Sequence, residues 1–295
     1  MGRDILVTVD GSVLSVHALP VAASVARAGD RVELVTAVEP VPPFHVPHYA
    51  DAAKTWVTKR HEAAMAYFDP TTYEVVPTLL LRSPSVALVE HVEEQKPDLV
   101  VMATHGRGPV SRSWIGSTAD RLIRSGTAPV LTVRPEDGSE PPTDRRWVVE
   151  RVLVPLDGSS LSEAAIQGAF DAFGESIELV LLRVAETGHM PGSVYIPDQI
   201  LYNRRAEEEA AAYLDGMVAG LNAAGRSVRS VLRVGERASR EIVEAAESEA
   251  CDAVAMATHG RGGLARIALG SVMDKVLRTA PGLVLSVPRP QAIDE

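Results

Sequence analysis

The sequence predicts an α/β protein of two tandem, doubly wound domains, each a five-stranded parallel sheet with helices on both faces. Three observations predict it. Short apolar runs alternate with stretches of helical periodicity along the whole chain, as crossovers between parallel strands require. The order of elements repeats. An Asp-Gly-Ser element recurs at an offset of 147 residues (Asp10–Ser12, Asp157–Ser159), and a glycine-rich stretch recurs at 154 (MATHGRGPVSRSWIGS, Met102–Ser117; MATHGRGGLARIALGS, Met256–Ser271). The length, 295 residues, suits two domains, each large enough to bury a core.

In the first half, Ile5–Val9 is apolar on both faces and reads as a buried parallel strand. Ser12 or Ser15 caps a helix over 13–28, closed by Gly29. Arg31–Val38 alternates as strand two, the Pro- and His-containing stretch Glu39–Pro47 is a loop, and Ala50–Phe68 is a helix. Tyr73–Leu81 is strand three. Ser83-Pro84 starts a helix that runs to Gln95, with Pro in its first turn. Leu99–Ala103 is strand four and ends in the glycine-rich loop; Ser117–Ser125 and Val130–Val133 complete the half as helix and strand five.

Pro135–Asp144 is polar and rich in Pro and Gly, as linkers are, which divides the chain into domains 1–135 and 148–290 with 136–147 between them. The second half repeats the order. Its strands are Val152–Leu156, Ile177–Val184, Val228–Val234, Ala253–Met256 and Leu283–Val287. Helices follow Ser159 to Phe173, then cover Gln199–Ala224, Ser239–Ser248 and Ser271–Thr279.

Composition narrows the function. A net charge of -10 argues against nucleic-acid or anionic-membrane partners held by general electrostatics. No apolar run is long enough to span a membrane, and MGRDILVTVD enters a strand directly, so no signal peptide is expected. Leu6 stands where a myristoylation motif needs Ser or Thr. The single cysteine, Cys251, excludes an intrachain disulfide and a cysteine metal cluster, and its apolar context predicts a buried, inert thiol. A reduced, cytoplasmic setting follows. Aromatic content of 4% means the cores are built from Val, Leu, Ala and Ile.

In doubly wound sheets, ligands bind beyond the carboxyl ends of the strands, where strand order reverses. Both repeated elements fall at such ends. A phosphate needs donors in a concave array and a backbone that approaches closely; glycines remove bulk and a helix start supplies free N–H groups. Gly106, Gly108, Gly116 and Ser117 fit that need, as do Gly260, Gly262, Gly263, Gly270 and Ser271. Repetition of MATHGRG in two diverged halves favours this over a plain turn and cap. For Asp10 and Asp157 two roles stay open: hydrogen bonding to a ribose or base or help with a metal, or stabilising the following helix start. His105 and His259 read as structural groups bonded to loop backbone, Arg107 and Arg261 as solvated residues able to reach phosphates, and His45 with His48 as part of a surface loop. GxxxxGK[ST], GxGxxG and GxSxG are all missing, which excludes a P-loop NTPase and weakens a hydrolase reading.

With these residues in view, the chain resembles the universal stress proteins in their tandem two-domain form, over nearly everything outside the linker. Nucleotide-binding members carry G-x2-G-x9-G-[ST]. Here Ala103 to Gly106, nine residues, then Gly116-Ser117, and Ala257 to Gly260, nine residues, then Gly270-Ser271, match it with Ala in place of the first Gly. The resemblance implies further nucleotide contacts at Thr8 and Pro155, at Asp10 and Asp157, at Val38 and Val184 through their backbone, and at Met102 and Met256. The chain neighbours Val9, Leu156, Thr118 and Val272 complete the candidate set. It also implies strand order 3-2-1-4-5, pairing of the two halves through their last strands, a homodimer, ATP with Mg²⁺ on its phosphates, and a role as a stress-response sensor or switch with an unknown protein partner. No strong enzymatic activity is implied. A nucleotide-free oligomerising adaptor and a slow ATPase are the alternatives. Pro109 in the first loop faces Gly263 in the second, and loss of a backbone donor predicts the second site as the tighter.

Overall fold

The computed structural model describes residues 2–40, 49–104, 115–135, 147–186, 197–258 and 269–289. The chain divides into two compact units, Met1–Val148 and Val149–Glu295. Most of the linker (136–146) and both glycine-rich loops (105–114 and 259–268) lie outside the described residues, as do His45 and His48.

The first unit runs β1 (Asp4–Thr8), α1 (Val13–Val16), α2 (Ala18–Val25), β2 (Arg31–Ala37), α3 (Tyr49–Met65), β3 (Glu74–Leu80), α4 (Pro84–Gln95), β4 (Leu99–Ala103), α5 (Ser117–Ser125) and β5 (Val130–Val133). Its strands pair in parallel in the order β3-β2-β1-β4-β5. β1 and β4 sit centrally because they are apolar on both faces: Ile5, Leu6 and Val7, and all of Leu99–Val101, are buried. Order reverses between β1 and β4, so the crevice of this unit opens above that pair.

The second unit runs β6 (Arg151–Leu156), α6 (Ser160–Phe173), β7 (Glu178–Glu186), α7 (Pro197–Ala223), β8 (Ser227–Gly235), α8 (Ala238–Ser248), β9 (Ala253–Ala257), α9 (Ser271–Thr279) and β10 (Leu283–Val287). Its order, β8-β7-β6-β9-β10, is the same wiring. Asp98 and Asp252 serve both units alike: each accepts the backbone N–H that opens the first strand, from Asp4 at 2.8 Å and from Arg151 at 2.9 Å.

Three expectations need correction. The helix expected over 13–28 is two pieces joined at His17, ending at Val25. Pro20 explains the break: it has no N–H for the Val16 carbonyl, and its ring clashes with that carbonyl. The helix expected to reach Phe68 ends at Met65, and 66–68 continue with three-residue bonds, Phe68 N–H to Met65 C=O at 3.0 Å among them. Cys251 is half-buried rather than buried. Partial burial still pushes its thiol up to about 11 despite the nearby Arg151 and Arg229.

Candidate functional site

In each unit the first strand ends in the Asp-Gly-Ser turn. The Asp10 carboxylate accepts the Ser12 N–H at 2.8 Å, and Asp157 accepts the Ser159 N–H at 2.9 Å. Gly11 and Gly158 take φ of 79° and 77°, a left-handed conformation that a side chain resists. Ser12 Oγ then accepts the Ser15 N–H, and Ser159 Oγ the Ser162 N–H, so Ser12 and not Ser15 is the cap. Both Asp residues therefore hold their own turns through Oδ1.

The second boundary of the crevice is the end of strand four. Thr104 is buried, and its N–H bonds Val133 C=O at 2.9 Å. Its C=O accepts the Gly116 N–H at 2.8 Å. Gly116 is thus tied directly to the residue that follows β4, and α5 starts where β4 stops. Thr258 and Gly270 make the same closure at 3.4 Å. A Cβ on Gly116 would come within 3.3 Å of the Thr104 carbonyl; on Gly270 it would stand 3.9 Å from that of Thr258. The first closure is the tighter of the two.

Gly116 and Gly270 cap α5 and α9 with no side-chain bond to the helix. The amides of Ser117, Thr118 and Ala119 have no intrahelical acceptor at that position, and neither do those of Ser271, Val272 and Met273. Helix starts of this kind are poles for an anion. Ser117 and Ser271 are exposed there, with Thr118 and Val272 half-buried beside them.

Register shows which other candidates join this crevice. Thr8 pairs Val35 and Val7 pairs Val101, so Thr8 and Met102 share one side of the sheet; Pro155 and Met256 do likewise in the second unit. Thr8, Val9, Met102, Ala103, Leu156 and Met256 are buried, while Pro155 and Ala257 are half-buried. Val38 lies just past β2, its N–H on Leu80 C=O at 2.9 Å. Register does not place Val184 with it. Thr8 opposite Val35 corresponds to Pro155 opposite Leu182, so the counterpart of Val38 is Ala185, and Val184 is one residue off on the other face. His105, Gly106, Arg107, Gly108, His259, Gly260, Arg261, Gly262 and Gly263 lie outside the described residues.

Two polar groupings at the strand ends were not expected. In the first unit Thr36 Oγ1 donates to Val9 C=O at 2.5 Å and meets His61 Nε2 at 2.8 Å. In the second, Arg183 Nη1 donates to Leu156 C=O at 3.1 Å, lies 5.7 Å from the Tyr213 ring centre, and Tyr213 donates to Glu163 at 2.7 Å. Burial, then the Glu163 bond, raises the Tyr213 pKa. The sequence shows Thr36 and Arg183 each following an apolar pair, Leu34-Val35 and Leu181-Leu182, but not their partners on α3 and α7.

Comparison with known proteins decides the family. A model of the universal stress protein family matches twice, over residues 1–134 and 149–288. The chain belongs to the universal stress protein family. Universal stress protein Rv2005c of Mycobacterium tuberculosis is 30% identical over 207 residues, 68% of this chain and 65% of that protein, so the match leaves about a third of that relative uncovered. A universal stress protein of Mycolicibacterium smegmatis is 31% identical over 211 residues, 70% of this chain and 67% of its own. The crystal structure of a universal stress protein from Archaeoglobus fulgidus superposes with a TM-score of 0.67 at 17% identity, covering 99% of this chain and 98% of that one, which supports the fold. This member is tandem, with both halves matched in full order. No described helix is long and apolar enough to cross a membrane.

Proposed function

We propose that the chain is an ATP-binding universal stress protein with one nucleotide site per domain, acting as a sensor or switch whose surface for a protein partner changes with occupancy. The observation that carries this reading is the glycine-capped helix start, free of any side-chain cap bond and tied to the end of strand four, present in both domains at the reversal of strand order. Phosphates would sit on the first-turn amides of α5 and α9, with Ser117 and Ser271 as hydroxyl donors. Thr8 and Met102 in the first domain, and Pro155 and Met256 in the second, each pair on one side of its own domain's strands, would face the nucleoside. Mg²⁺ would be held chiefly by the phosphates, since no described group of three His, Cys, Asp or Glu is arranged to hold a metal by itself. The reading makes the protein a binder, hydrolysing ATP slowly at most, and working in the cytoplasm as a homodimer.

A nucleotide-free adaptor is the second reading. Its support is that Asp10 and Asp157 are engaged in their own turns and that Ala103 and Ala257 add a methyl group at the strand end. One experiment separates the two. The protein is purified without added nucleotide and denatured, and the supernatant is resolved by anion exchange. Close to two equivalents of adenine nucleotide supports two sites, about one supports unequal sites, and ADP alone calls for a turnover assay. No nucleotide, followed by silence in calorimetry with MgATP, refutes the binding reading.

A further inference from the structure

Thr36 and Arg183 stand at the same place in the two domains, and we propose that they are positioning residues for the strand end bearing Asp10 or Asp157, wired so that acid loosens the first domain's site and spares the second's. What the site binds rests on the nucleotide reading; the wiring itself does not.

The register that pairs Val35 with Thr8 and Leu182 with Pro155 makes Thr36 and Arg183 counterparts. Each donates to the carbonyl of the residue just before the turn Asp, Val9 or Leu156. The same acceptor is therefore held by a neutral hydroxyl in one domain and a permanent cation in the other. A carbonyl fixed there fixes the direction in which the chain enters the Asp-Gly-Ser turn.

The neutral version depends on a histidine. Thr36 has a single hydroxyl proton, and Val9 C=O takes it at 2.5 Å. The contact to His61 at 2.8 Å then requires a proton on His61 Nε2, donated to Thr36 Oγ1. His61 is 3% exposed, and burial alone lowers its pKa from the ordinary value. The sides of β2 and β3 that share Thr36's face carry Val32, Leu34, Val38, Val75, Pro77 and Leu79, none of them ionisable. The ionisable chain neighbours of this contact are Asp10, next to Val9, and Arg60 and Glu62 on either side of His61. A second proton on His61 thus enters an apolar seam. The opened state takes that proton more readily, so below about pH 6.5 acid favours states in which α3 has released Thr36. In the second domain Arg183 keeps its charge throughout, over Tyr213, with Glu163 and Asp157 as the neighbouring carboxylates.

The test uses the full chain. Gly270→Val leaves the first site to be read, and Gly116→Val the second, by MgATP calorimetry at about pH 7.5 and pH 5.5. Protonation of ATP itself affects both sites alike, so the comparison between them cancels it. The first site should weaken about fivefold more than the second on acidification. Thr36→Val should weaken the first site about fivefold at pH 7.5, the scale of one lost hydrogen bond, and Thr36→Ser should restore it. Amide exchange across residues 5–13 needs no ligand and should rise with acid and with Thr36→Val. Equal pH responses of the two sites, or a Thr36→Val protein with a lower Tm but unchanged affinity and exchange at this strand end, would overturn the proposal. If neither site binds any nucleotide at pH 7.5, the nucleotide reading fails, and the exchange pattern alone decides the positioning role: a rise supports it and no change refutes it.

Discussion

Replacing Asp30 by Ala should destabilise the first unit by about 3 kcal/mol and leave the second untouched. Asp30 is 3% exposed and follows the α2 end. Its carboxylate accepts the Arg3 N–H at 2.8 Å, Arg3 Nε at 3.1 Å, Arg3 Nη2 at 2.8 Å and the Arg27 N–H at 2.9 Å. Arg3 also reaches Val25 C=O at 2.6 Å, so one pair ties the chain before β1 to the end of α2 and the start of β2. Truncation strands a mostly buried guanidinium and two backbone donors, and removing one partner of a buried pair costs roughly 3–5 kcal/mol; Arg3's remaining exposure favours the lower end. The assay is built into the sequence. All three tryptophans, Trp56, Trp114 and Trp147, fall in the first unit, so their emission reports its unfolding selectively. With a urea dependence of about 1–3 kcal/mol per molar, the tryptophan midpoint should fall by about 1–3 M. The pH sign follows from the same contacts. Burial would raise the Asp30 pKa, but the bonds from Arg3 and Arg27 outweigh it and hold the carboxyl below its ordinary value. The unfolded carboxyl binds its proton first, so this stability is complete above about pH 4 and is lost as pH falls through the folded value. A cycle in which Arg3→Ala and Asp30→Ala are additive would refute the coupling, as would an Asp30→Ala protein whose tryptophan midpoint stays in place.

Other outcomes follow from single contacts. Ser159→Ala removes the α6 cap and should cost the second unit about 1 kcal/mol, read by a tyrosine or circular-dichroism transition with the tryptophan midpoint constant. Gly116→Val should halve the nucleotide carried by the purified protein, because even a Cβ there stands 3.3 Å from the Thr104 carbonyl; undiminished nucleotide would remove that helix start from the site. Cys251, with its thiol pushed up to about 11, should react far more slowly with a disulfide reagent near neutral pH than after unfolding; equal rates would show that the thiol is not shielded.

Much of the fold was legible because parallel strands buried on both faces read as continuous apolar runs, and because the duplication supplied each signal twice. α4 and α5 start and stop where Pro84 and Ser117 indicate. The misreadings have two causes, one local and one not. Pro20 divides a helix whose apolar periodicity continues across it. Val184 looked equivalent to Val38 by residue type, but strand register, which sequence does not display, assigns that place to Ala185. At the site, the turns and the helix starts were legible as glycine and serine spacing. The groups that hold Val9 and Leu156 were not, because Thr36, His61, Arg183 and Tyr213 lie on different elements and differ between the halves.

That difference extends beyond the site. Asp4 stands opposite Arg31 on β1 and β2, whereas Arg151 stands opposite Glu178 on β6 and β7, the same register with the charges exchanged. Glu33, accepting from Thr78 at 2.5 Å and meeting His91 at 3.0 Å, occupies a place where the second unit has Val180, Val231 and Ala245. Duplicated domains with one strand order face a hazard in folding, since a strand of one could enter the sheet of the other. In this chain an exchange of first strands would set Asp4 against Glu178 and Arg151 against Arg31, and like charges directly opposite each other destabilise a strand pair. An exchange of third strands would in turn take Thr78 from Glu33 and bring Val231 in its place. The shared backbone thus carries two side-chain codes. The units differ in the sign of the charge pair that opens their first two strands and in the group that holds the end of the first strand, Thr36 with His61 in one and Arg183 in the other.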